Sequence, residues 1–121
     1  MSRVSIREFL EDLYLLQDLD LLIDQVTDPH YLETFGFQVS EEKVEMLKHR
    51  RNELAEKLRK SNPRWFQTYE RLRKRYKRGI ARVIDGICTN CFVQLPASMT
   101  GKELDNLQTC PSCGIILIWM D

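Results

Sequence analysis

All four cysteines of this 121-residue chain lie near its C-terminal end. They fall as Cys88-Thr89-Asn90-Cys91 and Cys110-Pro111-Ser112-Cys113-Gly114, with 18 residues between the pairs. A C-x-x-C segment bends the backbone into a knuckle that aims two sulfurs at one point. Two knuckles at this separation complete a tetrahedral thiolate site with metal–sulfur bonds of about 2.3 Å. Gly114 permits the unusual backbone angle after the second pair and frees amides to hydrogen-bond the thiolates. With four cysteine ligands no position is left for water or substrate, so Cys88, Cys91, Cys110 and Cys113 read as a structural site, not a catalytic one. One Zn²⁺ is the expected ion, with iron the lesser alternative because an all-sulfur tetrahedron suits both metals. Two disulfides would require an oxidising compartment, which this pairing pattern does not favour.

The elements that must position these sulfurs are short. Residues 84–87, 92–95 and 115–119 read as strands. Thr100 and Glu103 form a capping box, with Met99 and Leu104 as its hydrophobic staple, for one helical turn between the knuckles. A module this small buries too little apolar surface to hold itself together. Metal binding, worth on the order of 10 kcal/mol in small zinc modules, supplies the missing stability.

Upstream, the chain reads as helix. Ser5 and Glu8 form a capping box with Val4 and Phe9 as its staple, and the helix is expected over 6–26. It stops at Thr27-Asp28-Pro29, since a residue before proline resists helical dihedrals. Phe9, Leu13, Leu16, Ile23 and Val26 make one apolar stripe, but Tyr14, Leu15, Leu19, Leu21 and Leu22 lie off it. A helix apolar around so much of its circumference is covered on more than one side. Leu15, Leu19 and Leu22 are therefore the expected surface for a protein partner, a second subunit of a homodimer included. Residues 30–39 form a connection bending at Gly36, and Ser40 caps a second helix with Val39 and Val44 as the staple. Val44, Leu47, Leu54 and Leu58 follow at coiled-coil spacing, interrupted by Arg51. At Ser61-Asn62-Pro63, either Asn62 caps a new helix with Pro63 at its first position, or one long helix kinks there. Trp65, Tyr69, Leu72, Tyr76 and Val83 keep the helical period beyond it, and the kinked helix, over 41–61 and 63–82, is the favoured form.

Formal net charge is zero, yet residues 1–42 carry −8, residues 43–84 carry +11 and residues 85–121 carry −3. Within 43–60, Glu53–Lys57, Glu56–Lys60 and Glu45–Lys48 stand at helical pairing distance and read as a self-neutralising solvated face. Arg71, Arg75, Arg78 and Arg82 fall at i, i+4, i+7 and i+11 with Lys74 beside them, one stripe near Trp65, Tyr69 and Tyr76. Such a stripe fits phosphate backbones or an acidic protein surface, unless the acidic first helix or its copy in another subunit neutralises it. An acidic protein ranks ahead of nucleic acid because the rest of the molecule is negative. A divalent ion with four thiolates brings residues 85–121 to about −5, and Lys102 is the single Lys or Arg there.

The run from Arg82 through Cys88-Thr-Asn-Cys91-Phe-Val-Gln-Leu-Pro96, followed by Thr109-Cys-Pro-Ser-Cys113-Gly-Ile-Ile-Leu117, resembles the C-terminal zinc ribbon of a bacterial coiled-coil protein family. The resemblance is specific over residues 79–119 and architectural before them. It implies an antiparallel helical hairpin followed by the ribbon, with the four cysteines as metal ligands. Some members of that family are linked to flagellar or type III secretion export and to handling of an alternative sigma factor, and nucleic-acid binding has been proposed for them. This chain has a shorter arm, and Ile115 stands where the family commonly carries a basic residue. Cys-Pro-Ser-Cys-Gly is also similar to the second knuckle of rubredoxins, although Cys-Thr-Asn-Cys-Phe lacks the matching glycine. Regulators such as DksA and TraR share the layout of hairpin and four-cysteine finger. Their acidic tip would fall near Asp24 to Glu33, where Asp24 and Asp28 are present.

The expected fold is mainly α with a small β module: a helical hairpin or coiled-coil arm over 1–82 and a four-cysteine zinc ribbon over 83–121. Residues 13–26, the most apolar stretch, contain Asp18, Asp20 and Asp24, so no membrane insertion is expected. No basic head followed by an uninterrupted apolar run opens the chain, so no secretory signal is expected and the default compartment is the cytoplasm. His30 and His49 stand apart from any nucleophile and no phosphate loop occurs, so the chain is not expected to be an enzyme. The reading is a zinc-stabilised adaptor or chaperone-like regulator with protein partners. The rival is a transcription regulator that meets RNA polymerase or nucleic acid through the arginine stripe.

Overall fold

The computed structural model describes residues 5–30, 33, 40–99 and 107–119. Helices with described bounds come first: α1 Ile6–Val26, α2 Glu41–Ser61 and α3 Pro63–Tyr76. A small sheet follows, built from β1 Ile80–Ile84, β2 Ile87–Cys88, β3 Gln108–Thr109 and β4 Ile116–Trp119. The chain is thus mainly helical, with a four-stranded sheet and a cysteine cluster at its C-terminal end. Among the described residues no helix is long and apolar enough to cross a membrane.

The helix starts follow from their caps. Ser5 Oγ accepts from the Glu8 N–H at 3.0 Å, and Ser40 Oγ accepts from the Lys43 N–H at 3.3 Å. At the other end of α1, the Thr27 hydroxyl donates to the Ile23 carbonyl at 2.6 Å. The staple residues Val4 and Val39, the bend at Gly36 and the capping box at Thr100 and Glu103 lie outside the described residues.

Two expectations for the helices need correction. The chain breaks at Asn62 instead of kinking: Asn62 has φ −153° and ψ 81°, its N–H closes α2 onto the Leu58 carbonyl, and its side chain caps α3 by accepting from the Trp65 N–H. The cause is the following proline, whose ring pushes the preceding residue out of the helical region while Pro63 itself sits at a first-turn position. The third helix then ends at Tyr76, not at residue 82. Lys77 takes a left-handed φ of 63° and donates its N–H to the Arg73 carbonyl, and the chain leaves to begin β1. Val83, which fits a helical period, is a strand residue. The expected boundary between 82 and 83 falls inside β1.

The sheet runs β2-β1-β4-β3. β1 and β4 are parallel, with Ile80 opposite Ile116 and Val83 opposite Trp119, while β2 and β3 add antiparallel edges. Strands expected at 84–87 and 92–95 are placed differently: residues 85–86 form the turn between β1 and β2, and Gln94 makes a single bridge to Ile87. Side chains alternate across β1 and β4 with period two. Ile80, Ile116 and Ile118 pack with Phe9, Leu13, Leu16, Leu58 and Tyr69 of the helices. Ala81, Val83, Leu117 and Trp119 pack on the other face with Leu95, Ile115, Cys88 and Cys110. Both faces of β4 are therefore buried, which is why its sequence is apolar without alternation. The sheet is the shared wall between the helical core and the cysteine cluster.

Polar contacts fix how the helices meet that wall. Gln17 is buried on α1, and its Oε1 accepts from the Gly79 N–H at 2.7 Å and the Ile80 N–H at 2.9 Å, satisfying two backbone donors at the entrance to β1. Arg7 donates to the Trp119 carbonyl at 2.6 Å. Gly79 itself lies against Tyr69: an added Cβ would overlap Tyr69 Cδ1 and stand 2.8 Å from the Tyr69 carbonyl oxygen. One obstacle is backbone and the other a fully buried ring, so neither yields cheaply. Gly79→Ala should lower unfolding free energy by about 2 kcal/mol or more in a denaturant titration; an unchanged midpoint would contradict this packing.

Candidate metal centre

The first knuckle is delivered by a tight hairpin. Asp85 and Gly86 both have positive φ, 52° and 74°, the pattern that an Asp-Gly pair adopts in a two-residue turn. This turn sets Ile87 against Ile84 and Cys88 against Val83. Beyond it, the Phe92 N–H returns to the Cys88 carbonyl at 2.7 Å and the Cys88 N–H reaches the Val93 carbonyl at 3.0 Å. The second knuckle repeats this geometry: Gly114 N–H to the Cys110 carbonyl at 2.8 Å, and Cys110 N–H to the Ile115 carbonyl at 2.8 Å. The residue after each second cysteine is left-handed, Phe92 at 62° and Gly114 at 79°. Phe92 thus takes the conformation that glycine takes in its counterpart, and the missing glycine does not change the knuckle's shape.

The two knuckles bring Cys88, Cys91, Cys110 and Cys113 together, with all four sulfurs within 4.8 Å of one another. Cys88 Sγ lies 3.9 Å from Cys113 Sγ, and Cys91 Sγ lies 3.7 Å from Cys110 Sγ. The edge of a tetrahedron with metal–sulfur bonds of about 2.3 Å is about 3.8 Å. The sulfurs are therefore spaced for a metal ion, and all four cysteines are free. Cys88 and Cys110 are buried, while Cys91 and Cys113 are partly open to solvent.

Electrostatics around the sulfurs are uneven. The Val93 N–H, outweighing burial, lowers the Cys91 thiol to about 7. Burial, helped by the nearby Cys113 charge, pushes Cys88 up to about 12 despite the amides of Cys91 and Asn90. Burial also raises Cys113, against the Asn90 side chain and the Ile115 N–H. The Asn90 amide, 3.4 Å from Cys113 Sγ, ties one knuckle to the other. Peptide donors are thus aimed at thiolates that repel one another, an arrangement a divalent cation would stabilise strongly. The helical part reaches the centre through Tyr76, whose hydroxyl donates to the Cys113 carbonyl at 2.9 Å.

The other expected site residues are dispersed. Leu15 and Leu22 are exposed on α1, and Leu19 is half-buried beside them. Arg71, Lys74 and Arg75 are exposed on α3, with Arg75 over the Tyr76 ring at 5.2 Å. Arg78 lies in the connection after α3, and Arg82 on β1 places its guanidinium over Tyr14 at 5.5 Å. The four arginines do not form one helical stripe, because the helix ends before Arg78. The expected Glu53–Lys57 pair is also redirected. Lys57 reaches across to Asp12 at 2.9 Å and Glu53 pairs with His49 at 2.7 Å, whereas Glu56–Lys60 and Glu45–Lys48 form at 3.8 and 3.9 Å.

Sequence reasoning missed a charged network on the helical side. Asp20 is buried and accepts from the Tyr69 hydroxyl at 2.8 Å and from Arg51 Nε at 2.7 Å, with Arg73 Nε at 3.3 Å. Burial and then the Asp20 charge hold the Tyr69 phenol far above its usual range, so it stays a donor. Asp24 takes the outer end of Arg73, and Glu70 that of Arg51. The signal was available: Asp20 follows Leu13 and Leu16 on a core-facing side, and Arg51 interrupts a leucine series.

Fold and site together define a mainly helical protein that ends in a small sheet carrying a four-sulfur, metal-competent cluster. A solved structure of CT398 from Chlamydia trachomatis is similar, with a TM-score of 0.57 and 28% sequence identity over 65% of this chain and 34% of that one. The chain thus spans about a third of the length of that relative. No protein-family model matches the chain, and no curated protein does.

Proposed function

We propose that the chain is a non-enzymatic, cytoplasmic adaptor in which one Zn²⁺ holds a zinc ribbon as a stiff head on a helical-hairpin stem, the stem made of the helices up to Tyr76 and the head starting with β1 at Ile80. The observation that carries this reading is the closed sulfur cluster, whose 3.7 and 3.9 Å separations suit a tetrahedral ion with no open coordination position. Such an ion shapes a surface and transforms no substrate. Protein contact is assigned to Leu15, Leu19 and Leu22, where apolar surface is left on α1. The resemblance over residues 79–119 points the role toward flagellar or type III secretion, or sigma-factor control. A second reading, contact with RNA polymerase or nucleic acid, is favoured by the exposure of Arg71, Lys74, Arg75 and Arg78.

Salt separates the two. Purified, metal-loaded protein used as bait in a lysate of its own cell should retain a protein partner after nuclease treatment and in high salt, and should lose it when Leu15, Leu19 and Leu22 are changed to Glu. Nucleic-acid binding falls steeply with salt in proportion to the phosphates neutralised. Recovery of nucleic acid alone, abolished by Arg71→Glu and Arg75→Glu, would reverse the ranking.

A further inference from the structure

The outer face of α1 and α2, turned away from α3, carries apolar surface that is exposed among the described residues. Leu15 is 51% exposed, Leu22 41% and Met46 54%. Between the helices runs a groove of about 480 Å³ lined by Leu15, Leu19, Leu54, Arg50, Glu53 and Lys57. Its floor is aliphatic and its rim alternates in charge along α2.

We propose that this face binds a second copy of the chain, packed antiparallel about a two-fold axis so that α1 lies on α1 and α2 on α2. Register carries the inference. The contacts Lys57–Asp12 and Arg51–Asp20 fix how α1 and α2 run past each other. That register sets the midpoint between Leu15 and Leu22 on α1 level with the midpoint between Arg50 and Glu53 on α2. A single two-fold axis at this height therefore does two things at once. It places Leu15 over Leu22 of the second copy, with Leu19 near the axis, and it places Arg50 opposite Glu53 of the second copy, twice by symmetry. The aliphatic stem of Lys57 then covers Met46. The face is thus self-complementary in both shape and charge, as a two-fold interface must be. The pairing points the two cysteine heads to opposite ends.

This inference rests on the reading of the leucine face as a protein-contact surface, but not on the adaptor role. The test is sedimentation velocity on the full, metal-loaded chain from roughly 1 to 100 µM, a range that resolves micromolar association. A dimer is expected. Leu15→Glu with Leu22→Glu should give a monomer with unchanged helix content and metal content, since both side chains are exposed. Arg50→Glu should weaken the dimer about tenfold or more, and Arg50→Glu with Glu53→Arg should restore it, because the swap preserves the cross-axis pair. A wild-type monomer throughout, a dimer indifferent to the leucine changes, or no rescue by the swap would each overturn the proposal. A monomer that still captures a different protein through these leucines overturns the second copy and leaves the adaptor reading standing; a dimer that captures nothing does the reverse.

Discussion

Cys88→Ser, or removal of the ion by a strong chelator, is expected to melt both knuckles and strip protection from the β2 and β3 edges while α1 and α2 stay folded. The two knuckles meet through their sulfurs, and the cluster between them contributes few other apolar side chains, chiefly Val83, Leu95, Ile115, Leu117 and Trp119. Without a cation, that region must keep a deeply buried Cys88 beside three other sulfurs whose charges oppose one another. Small modules of this kind draw on the order of 10 kcal/mol from metal binding. Here the loss is partly contained, because Ile80, Ile116 and Ile118 hold β1 and β4 to the helices independently. Amide hydrogen exchange should therefore divide the molecule. The Cys88, Cys110 and Gly114 amides should lose protection on metal removal, and the interior of α1 and α2 should keep it. Uniform protection in the Ser variant would show that the sulfurs are incidental to the fold.

Asp20→Ala should be among the most damaging substitutions outside the cysteines, costing about 3–5 kcal/mol in equilibrium unfolding. The carboxylate is 5% exposed and joins three helices, with Tyr69 and Arg73 of α3 and Arg51 of α2 converging on it. Removing it strands a phenol with no exposure and two guanidiniums that are only about a fifth exposed. The Glu70 side chain, which meets Arg51 from outside and is 39% exposed, offers an internal control: Glu70→Ala should cost no more than about 1 kcal/mol. Comparable losses from both variants would mean that burial of Asp20 is not what gives the network its weight.

The gathering of the four sulfurs was legible because its information is local. Two C-x-x-C segments dictate two knuckles, and the spacing between them is enough to suggest one ion. The serine caps were legible for the same reason, since Ser5 and Ser40 act on amides three residues away. What escaped was set by partners distant in sequence. The end of α3 at Tyr76 was hidden because Val83 continues the helical period by coincidence, while the cause of termination, pairing of β1 with β4, involves residues 36 positions apart. Nothing local in the sequence marks Gln17 as buried, because the amides that satisfy it belong to Gly79 and Ile80. Arg51 looked like a flaw in a leucine series, yet it answers an aspartate on another helix. The arginine series from 71 to 82 shows the converse hazard, in which a regular spacing spans a change of secondary structure and the shared face dissolves.

The central claim is that one ion joins the two knuckles and closes the sheet that the helices lean on. X-ray absorption at the zinc edge, with the metal-to-protein ratio measured on the same sample, tests it most directly. One zinc per chain with four sulfur neighbours at about 2.3 Å is the predicted result. A chain that holds no metal, or whose ion has nitrogen or oxygen in its first coordination sphere, would contradict it.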